Sequence, residues 1–159
     1  MIIRKFEEKD LVSMIDIWND VVNDGMAFPQ EEALTLESGK LFFESQTLSA
    51  VAEEDGHIYG VYILHPNNVG RCGHICNASF AVSKESRGKH IGEKLVRDCL
   101  AKAKENSFKI LQLNAVVENN IHARHLYEKI GFTQLGTITD GFRSKSGEYL
   151  NICPYYIEL

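Results

Sequence analysis

Apolar residues return at helical spacing in some stretches of the chain and gather in short runs in others, so period separates helices from strands. Ile2 to Lys5 reads as a first strand. Asp10 is placed to cap a helix running through Trp18 to about Asp24, with Leu11, Met14, Ile15, Trp18 and Val22 on one face. Gly25 and Pro29 break it, and a second helix is predicted from about Glu31 to Glu44, weakened by Gly39. Leu48–Ala52 and Ile58–Leu64 are strand-like, and the Glu54-Asp55-Gly56 turn joins them as a hairpin. Residues His65 to Gly73 are dense in turn formers and form a loop. A strand from Ile75 to Val82 precedes a Gly-containing turn. Ile91, Leu95, Cys99, Leu100 and Ala103 then follow at helical spacing, up to Asn106-Ser107. Next come a strand over Leu111–Val117, a helix over Ile121–Ile130 closed by Gly131, and strands over Phe132–Thr139 and Leu150–Glu158. The order β-α-α-β-β-β-α-β-α-β-β implies an α+β fold around one central sheet.

Composition narrows the class. A chain of 159 residues suits one domain over residues 1–159, and 44% hydrophobic with 25% charged residues is ordinary for a packed core. A net charge of −5 argues against a nucleic-acid partner. Neither the N-terminal residues Met1 to Glu8 nor any later stretch offers an apolar run suited to a membrane, so no membrane association is expected. Cys72, Cys76, Cys99 and Cys153 are read as free thiols in a reducing compartment, which makes the cytoplasm the expected location. Cys72, His74 and Cys76 lack a second ligand pair at metal-site spacing, so no metal is expected and the cysteines are read as small buried hydrophobes.

The turn Arg87-Gly88-Lys89-His90-Ile91-Gly92 carries the candidate chemistry. The first turn of a helix leaves N–H groups unpartnered, and the helix dipole adds positive potential there. Gly88 and Gly92 keep side chains away from those donors, while Arg87 and Lys89 add charge at the rim, so a pyrophosphate can approach. The spacing fits neither a dinucleotide fingerprint nor a Walker-type phosphate loop. Taken alone, it also fits a helix that merely opens with glycines and basic residues.

A second segment changes the balance. The run Arg87 to Gly92 resembles the acetyl-CoA signature of the GNAT N-acetyltransferase family, [Q/R]-x-x-G-x-[G/A]. The segment Asn120-Ile121-His122-Ala123-Arg124-His125-Leu126-Tyr127-Glu128-Lys129-Ile130-Gly131-Phe132 resembles that family's N-x-x-A-x-x-L-Y-x-K-x-G-F. The resemblance implies a mostly antiparallel central sheet flanked by helices, with a splay between the strands ending near Val82 and Val117. It implies acetyl-CoA as co-substrate and direct acetyl transfer to an amine. Backbone groups of Phe80, Ala81 and Val82 would pair with the pantetheine arm. The N–H groups of Gly88, Lys89, His90, Ile91, Gly92 and Glu93 would hold the pyrophosphate, with Arg87 opening the turn. Asn120 would bond near the pantetheine and Tyr127 would protonate the departing sulfur. A purely packing role for Tyr127, beside Ala123, Leu126 and Ile130, is the other reading. The family usually has glycine where this chain has His90, and an ordinary helical φ is expected there, since a positive φ would strain histidine.

The acceptor side is less legible. Asn77 and Asn114 interrupt apolar strands, and a buried amide needs partners. They either bond within the splayed sheet or line the acceptor pocket. His74-Ile75-Cys76-Asn77-Ala78, with Asn114 to Asn120, resembles the branch that includes acetyltransferases for proline-like imino acids, which implies a small amino or imino acid as acceptor. Trp18, Phe28 and Tyr149 lie in segments that cap the acceptor side in the family, or are simply core. The general base is not evident: His74, Glu118 and a water chain are all candidates. A protein, peptide or polyamine acceptor, and a non-catalytic coenzyme A sensor, are the rival functions. The final strands could also complete a sheet across a homodimer.

Overall fold

The helical periods that start at Leu11 and Ile91 both produce helices, and these lie on opposite faces of one sheet. The computed structural model describes residues 1–86 and 88–159, so Arg87 lies outside the described residues. The strands are β1 (Ile2–Lys5), β2 (Leu48–Glu54), β3 (His57–Pro66), β4 (Ile75–Val82), β5 (Ile110–Val117), β6 (Thr133–Gln134), β7 (Ile138–Arg143) and β8 (Tyr149–Glu158). They form one sheet in the order β1-β2-β3-β4-β5-β8-β6, with β7 also on β8. Among the described residues, only the β4–β5 pair is parallel. The expected mixed, mostly antiparallel α+β architecture is what forms.

Helices α1 (Leu11–Asp24) and α2 (Leu36–Glu44) cover one face, and α3 (Ile91–Glu105) and α4 (Ile121–Ile130) the other. The two-residue period of β3 explains why both faces hold core: Val61 and Ile63 pack with Met14, Trp18 and Phe43, while Tyr62 and Leu64 pack with Leu95, Val96 and Cys99. Each fully buried aliphatic side chain contributes about 1.5–3 kcal/mol.

Three local differences from the sequence expectation have physical causes. Asp10 caps α1 by position but makes no cap bond with its side chain. Its carboxylate instead takes both ends of the Arg4 guanidinium, at 2.7 and 2.9 Å, and the Glu7 N–H at 2.7 Å. The second helix starts at Leu36 rather than near Glu31, because Asn19 bonds both backbone groups of Leu34 and Thr35 then caps through Ser38. Residues 25–35 are thereby free to run as a loop toward the sheet. Gly39, read as a weakness, is a point of close approach: a β-carbon there would meet Ile15 Cδ1 at 2.5 Å.

The strand expected over Phe132–Thr139 is divided into β6 and β7. Leu135 N–H donates to Pro154 O, but Pro154 has no N–H to return, so the ladder along β8 is interrupted there.

Candidate active site

Beyond Ile75↔Ile110 and Cys76↔Leu111, β4 and β5 stop pairing. A bulge in β5 accompanies the separation, since Leu113 pairs with Tyr155 and Val116 with Cys153, leaving Asn114-Ala115 to span one residue of β8. The gap is a passage of about 220 Å³. Asn120, Ala123 and Tyr127 of the α4 segment line it on one face of the sheet, and Ala27, Phe28 and Pro29 on the other. The splay implied by the sequence resemblance is therefore present.

The alternation of β4 decides which backbone groups face the gap. Ser83 N–H donates to Tyr59 O, and Ala81 lies opposite Val61, so the odd-numbered residues bond to β3. The backbone groups of Phe80 and Val82 point toward the gap; those of Ala81 are committed to β3. The side chains of Asn77 and Ser79 fall on the α1 face with Ala81, opposite to Cys76 and Ala78.

The glycine turn differs in detail from the expectation. A 3-10 turn covers Lys84–Ser86, and α3 begins at Ile91, three residues after Gly88. His90 is the N-cap and has φ 57 and ψ 27, in the left-handed region rather than the helical one. The turn must reverse direction before Ile91, which is 1% exposed and anchored in the core, and this sets the backbone at residue 90 at a cost of about 1 kcal/mol. The N–H groups of Ile91, Gly92 and Glu93 are those that the ladder of α3 leaves over. Val82, Gly88, Gly92 and Leu126 line a groove of about 230 Å³ in front of them. A β-carbon at Gly88 would meet nothing within 4 Å, which leaves the backbone open to an approaching anion. Lys89 N–H donates to Ser86 O at 3.3 Å and its Nζ lies 5.0 Å from the Tyr59 ring centre. Glu93 is bridged by Lys129 at 2.8 Å and Arg97 at 2.9 Å, which lower its pKa and tie α3 to α4.

Tyr127 is half-buried, lines the passage, and packs between Phe132 and Tyr155 with ring centres 5.4 and 6.0 Å away. Burial pushes its pKa upward, so the hydroxyl stays protonated. Tyr155 in turn donates to Glu128 at 2.9 Å and accepts from Arg124 at 3.1 Å, pinning α4 to β8. Asn120 caps α4, its side-chain oxygen accepting from Ala123 N–H at 3.3 Å, and also lines the passage.

Asn77 and Asn114 come together on the passage wall, although neither is fully buried: Asn77 is half-buried and Asn114 exposed. Asn77 Nδ2 donates to Gln112 O at 2.8 Å, and Asn114 Nδ2 donates to Asn67 Oδ1 at 2.6 Å while its Oδ1 accepts from Gln112 Nε2 at 3.1 Å. Gln112 and Asn67 were missed from sequence. Gln112 sits two residues before Asn114, on the same strand face, and that period was the available signal.

The described lining of the passage carries no charged side chain. His74 precedes Phe80 by a run of about 20 Å at strand rise, and Glu118 lines a different cavity, so neither base candidate borders the passage. Of the three aromatic candidates, Phe28 borders the passage, Trp18 stacks behind it with ring centres 4.4 Å apart, and Tyr149 is 60% exposed beside Glu118. Cys76, Cys99 and Cys153 are buried, and burial pushes the Cys76 thiol up to about 12; Cys72 is exposed, against expectation. No cluster able to hold a metal ion occurs among the described residues, and no helix there is long and apolar enough to cross a membrane.

A model of the acetyltransferase (GNAT) family matches residues 13–132. The N-acetyltransferase aca1 of Schizosaccharomyces pombe is 30% identical over 161 residues, covering 91% of this chain and 77% of that protein. A GCN5-related N-acetyltransferase from Kribbella flavida superposes with a TM-score of 0.91 at 27% identity, covering 99% of this chain and 97% of that one. A phosphinothricin acetyltransferase from Sinorhizobium meliloti, in complex with AcCoA, superposes with a TM-score of 0.91 at 20% identity, covering 99% and 88%.

Proposed function

The chain belongs to the GNAT acetyltransferase family and is an acetyl-CoA-dependent N-acetyltransferase, and we propose that its acceptor is a small amino or imino acid. The observation that carries this reading is the passage itself: about 220 Å³, uncharged, and walled by the amides of Asn77 and Asn114. A free amine small enough to enter between Phe28 and those amides meets hydrogen-bond acceptors without a competing ion.

Acetyl-CoA supplies the acetyl group as a thioester. The N–H groups of Ile91, Gly92 and Glu93, with Gly88 leaving the groove open, hold its pyrophosphate, and Lys89 adds positive charge; Arg87 is assigned the same task from sequence. The open backbone groups of Phe80 and Val82 pair with the pantetheine arm, Asn120 bonding beside them. The Phe80 N–H, which faces the passage, meets the negative charge that develops on the carbonyl oxygen, an effect worth about 3 kcal/mol, and the arm pairs with the remaining open groups. Asn77 and Asn114 orient the amine, which must be neutral to attack. Placing amine and thioester together contributes up to roughly 7–11 kcal/mol. Tyr127, kept protonated by burial, gives its proton to the departing sulfur and regains one from solvent through water. Water passes the amine proton to solvent, since the described lining holds no ionised base.

Residues 1–159 act as a single catalytic domain in this reading, in the cytoplasm, where the free cysteines stay reduced. The outer edge of β7, which pairs with β8 alone, is the surface for a homodimer. The test of the acceptor is a mass-spectrometric screen of free amino and imino acids beside peptides and polyamines. Acetylation of the small amino acids is expected; acetylation of peptides alone would refute the reading.

A further inference from the structure

The hydroxyl assigned to protonate the departing sulfur is not held in place directly. Among the described residues no hydrogen bond reaches it; the Tyr127 ring is set by packing between Phe132 and Tyr155 and by the helix that carries it. Side chains reach about 5–6 Å from a helix axis, so rolling α4 by roughly 10° moves that phenol by about 1 Å. A reacting group displaced that far costs as much as about 100-fold in rate. Whatever stops α4 from rolling therefore bears on the chemistry.

One atom on β8 opposes that motion. The Tyr155 hydroxyl accepts from Arg124 Nε at 3.1 Å and donates to Glu128 Oε1 at 2.9 Å. It thus joins two residues one turn apart on α4, with Tyr127 between them in the chain. Tyr155 is itself fixed: it is fully buried, and its backbone lies opposite Leu113 of β5 on one side and Gln134 of β6 on the other. Leu113 is the last regular rung before the bulge at Asn114-Ala115 that accompanies the passage. The residue that closes the ladder at the edge of the gap also holds the helix beside it. Burial pushes the Tyr155 pKa upward, which keeps the proton that it donates to Glu128. Arg124 has further bonds, to Glu118 O at 2.9 Å and Gln134 Oε1 at 3.3 Å, that do not pass through Tyr155.

We propose that the Tyr155 hydroxyl is a positioning group for Tyr127, fixing the angle at which α4 carries the phenol into the passage. The inference rests on Tyr127 as the proton donor, as assigned above. Tyr155 does not line the passage and acts through α4. Its loss slows the step that Tyr127 serves and leaves the binding of both substrates unchanged.

A double-mutant cycle of Tyr155→Phe and Tyr127→Phe in the full chain tests this, with kcat, both KM values and the unfolding midpoint measured for each variant. Tyr155→Phe keeps the ring against Tyr127 and leaves the Arg124 bonds to Glu118 and Gln134 in place. It is expected to lower kcat by about tenfold and to leave both KM values within about twofold. In the Tyr127→Phe background the same change is expected to leave kcat within about twofold, because no phenol proton remains to be aimed. Glu128→Ala breaks one of the two bonds without touching the buried ring. It gives the same background-dependent fall on a smaller scale, and serves where Tyr155→Phe does not fold. Wild-type kcat in the folded variant, or an equal fall with and without the Tyr127 hydroxyl, overturns the positioning role. Wild-type kcat in Tyr127→Phe instead refutes the proton-donor reading, and the inference with it.

Discussion

On the α3–α4 side of the sheet the proposed binding groups belong to the backbone, and on the α1–β7 side they belong to side chains. The difference governs how each half is built. A helix start and an open strand edge expose N–H groups wherever a helix follows a strand, so Phe80, Val82 and Ile91 to Glu93 need only local structure to be in place. Asn67, Asn77, Asn114 and Phe28 come from four separated segments and meet only when the sheet splays and the loop over residues 25–35 is pulled down onto it. The donor half therefore depends on few side chains, chiefly Tyr127 and Asn120, and the acceptor half is sensitive at each position.

Four variants bear on that contrast. The largest effect is expected at the side chain that supplies the proton in the donor half. Tyr127→Phe should lower kcat by about 10³-fold while acetyl-CoA still binds, the size of a lost proton donor; normal turnover would place the proton source elsewhere. Next is the support under α1. Asp10→Asn removes the carboxylate that takes two nitrogens of Arg4, leaving Glu53 as its partner, and should cost about 1.5 kcal/mol in urea unfolding at neutral pH. Burial pushes the Asp10 carboxyl up, but its bonds from Arg4 and the Glu7 N–H more than offset this, and its folded pKa lies below the usual value. The stabilisation is thus complete above the unfolded pKa of about 3.9 and drains away as pH falls through the lower folded value. The wild type should lose more stability than Asp10→Asn over that acid range, and parallel losses would argue against the pair.

The third variant separates the halves kinetically. Asn77→Ala should raise the acceptor KM by about tenfold with that for acetyl-CoA unmoved; a rise in both would assign Asn77 to the donor side. The smallest effect is expected in the turn. His90→Gly relieves a left-handed histidine but gains a similar freedom in the unfolded chain, so the two differ in stability by less than about 1 kcal/mol. Acetyl-CoA affinity, followed by calorimetry, should stay within severalfold, because the donors at Ile91 to Glu93 are untouched. Complete loss of binding would mean that the imidazole itself takes part.

Period and spacing were enough for β4, α3, α4 and the hairpin at Asp55-Gly56, because each is set by neighbours a few residues away. They failed at Leu34, where Asn19 takes over the backbone bonds that a longer helix would have used, and at Pro154, whose missing N–H acts on a strand some twenty residues earlier. The glycine turn was legible as an anion site but not in its dihedrals, since the buried Ile91 sets the direction of entry. Asn77 and Asn114 were visible as polar interruptions, whereas their partners Gln112 and Asn67 were not.

The chain's own residue order thus carries the donor half, as helix starts, an exposed strand edge and a tyrosine at fixed spacing from a cap. The acceptor half arises only in three dimensions, where a bulge at Asn114-Ala115 parts two strands and a proline-bearing loop closes over the gap. Hydrogen-bond ladders and helix periods act over a few residues and leave their mark in spacing. The meeting of Phe28 with Asn114, or of Arg143 with Glu31, depends on packing between distant segments, which spacing does not record.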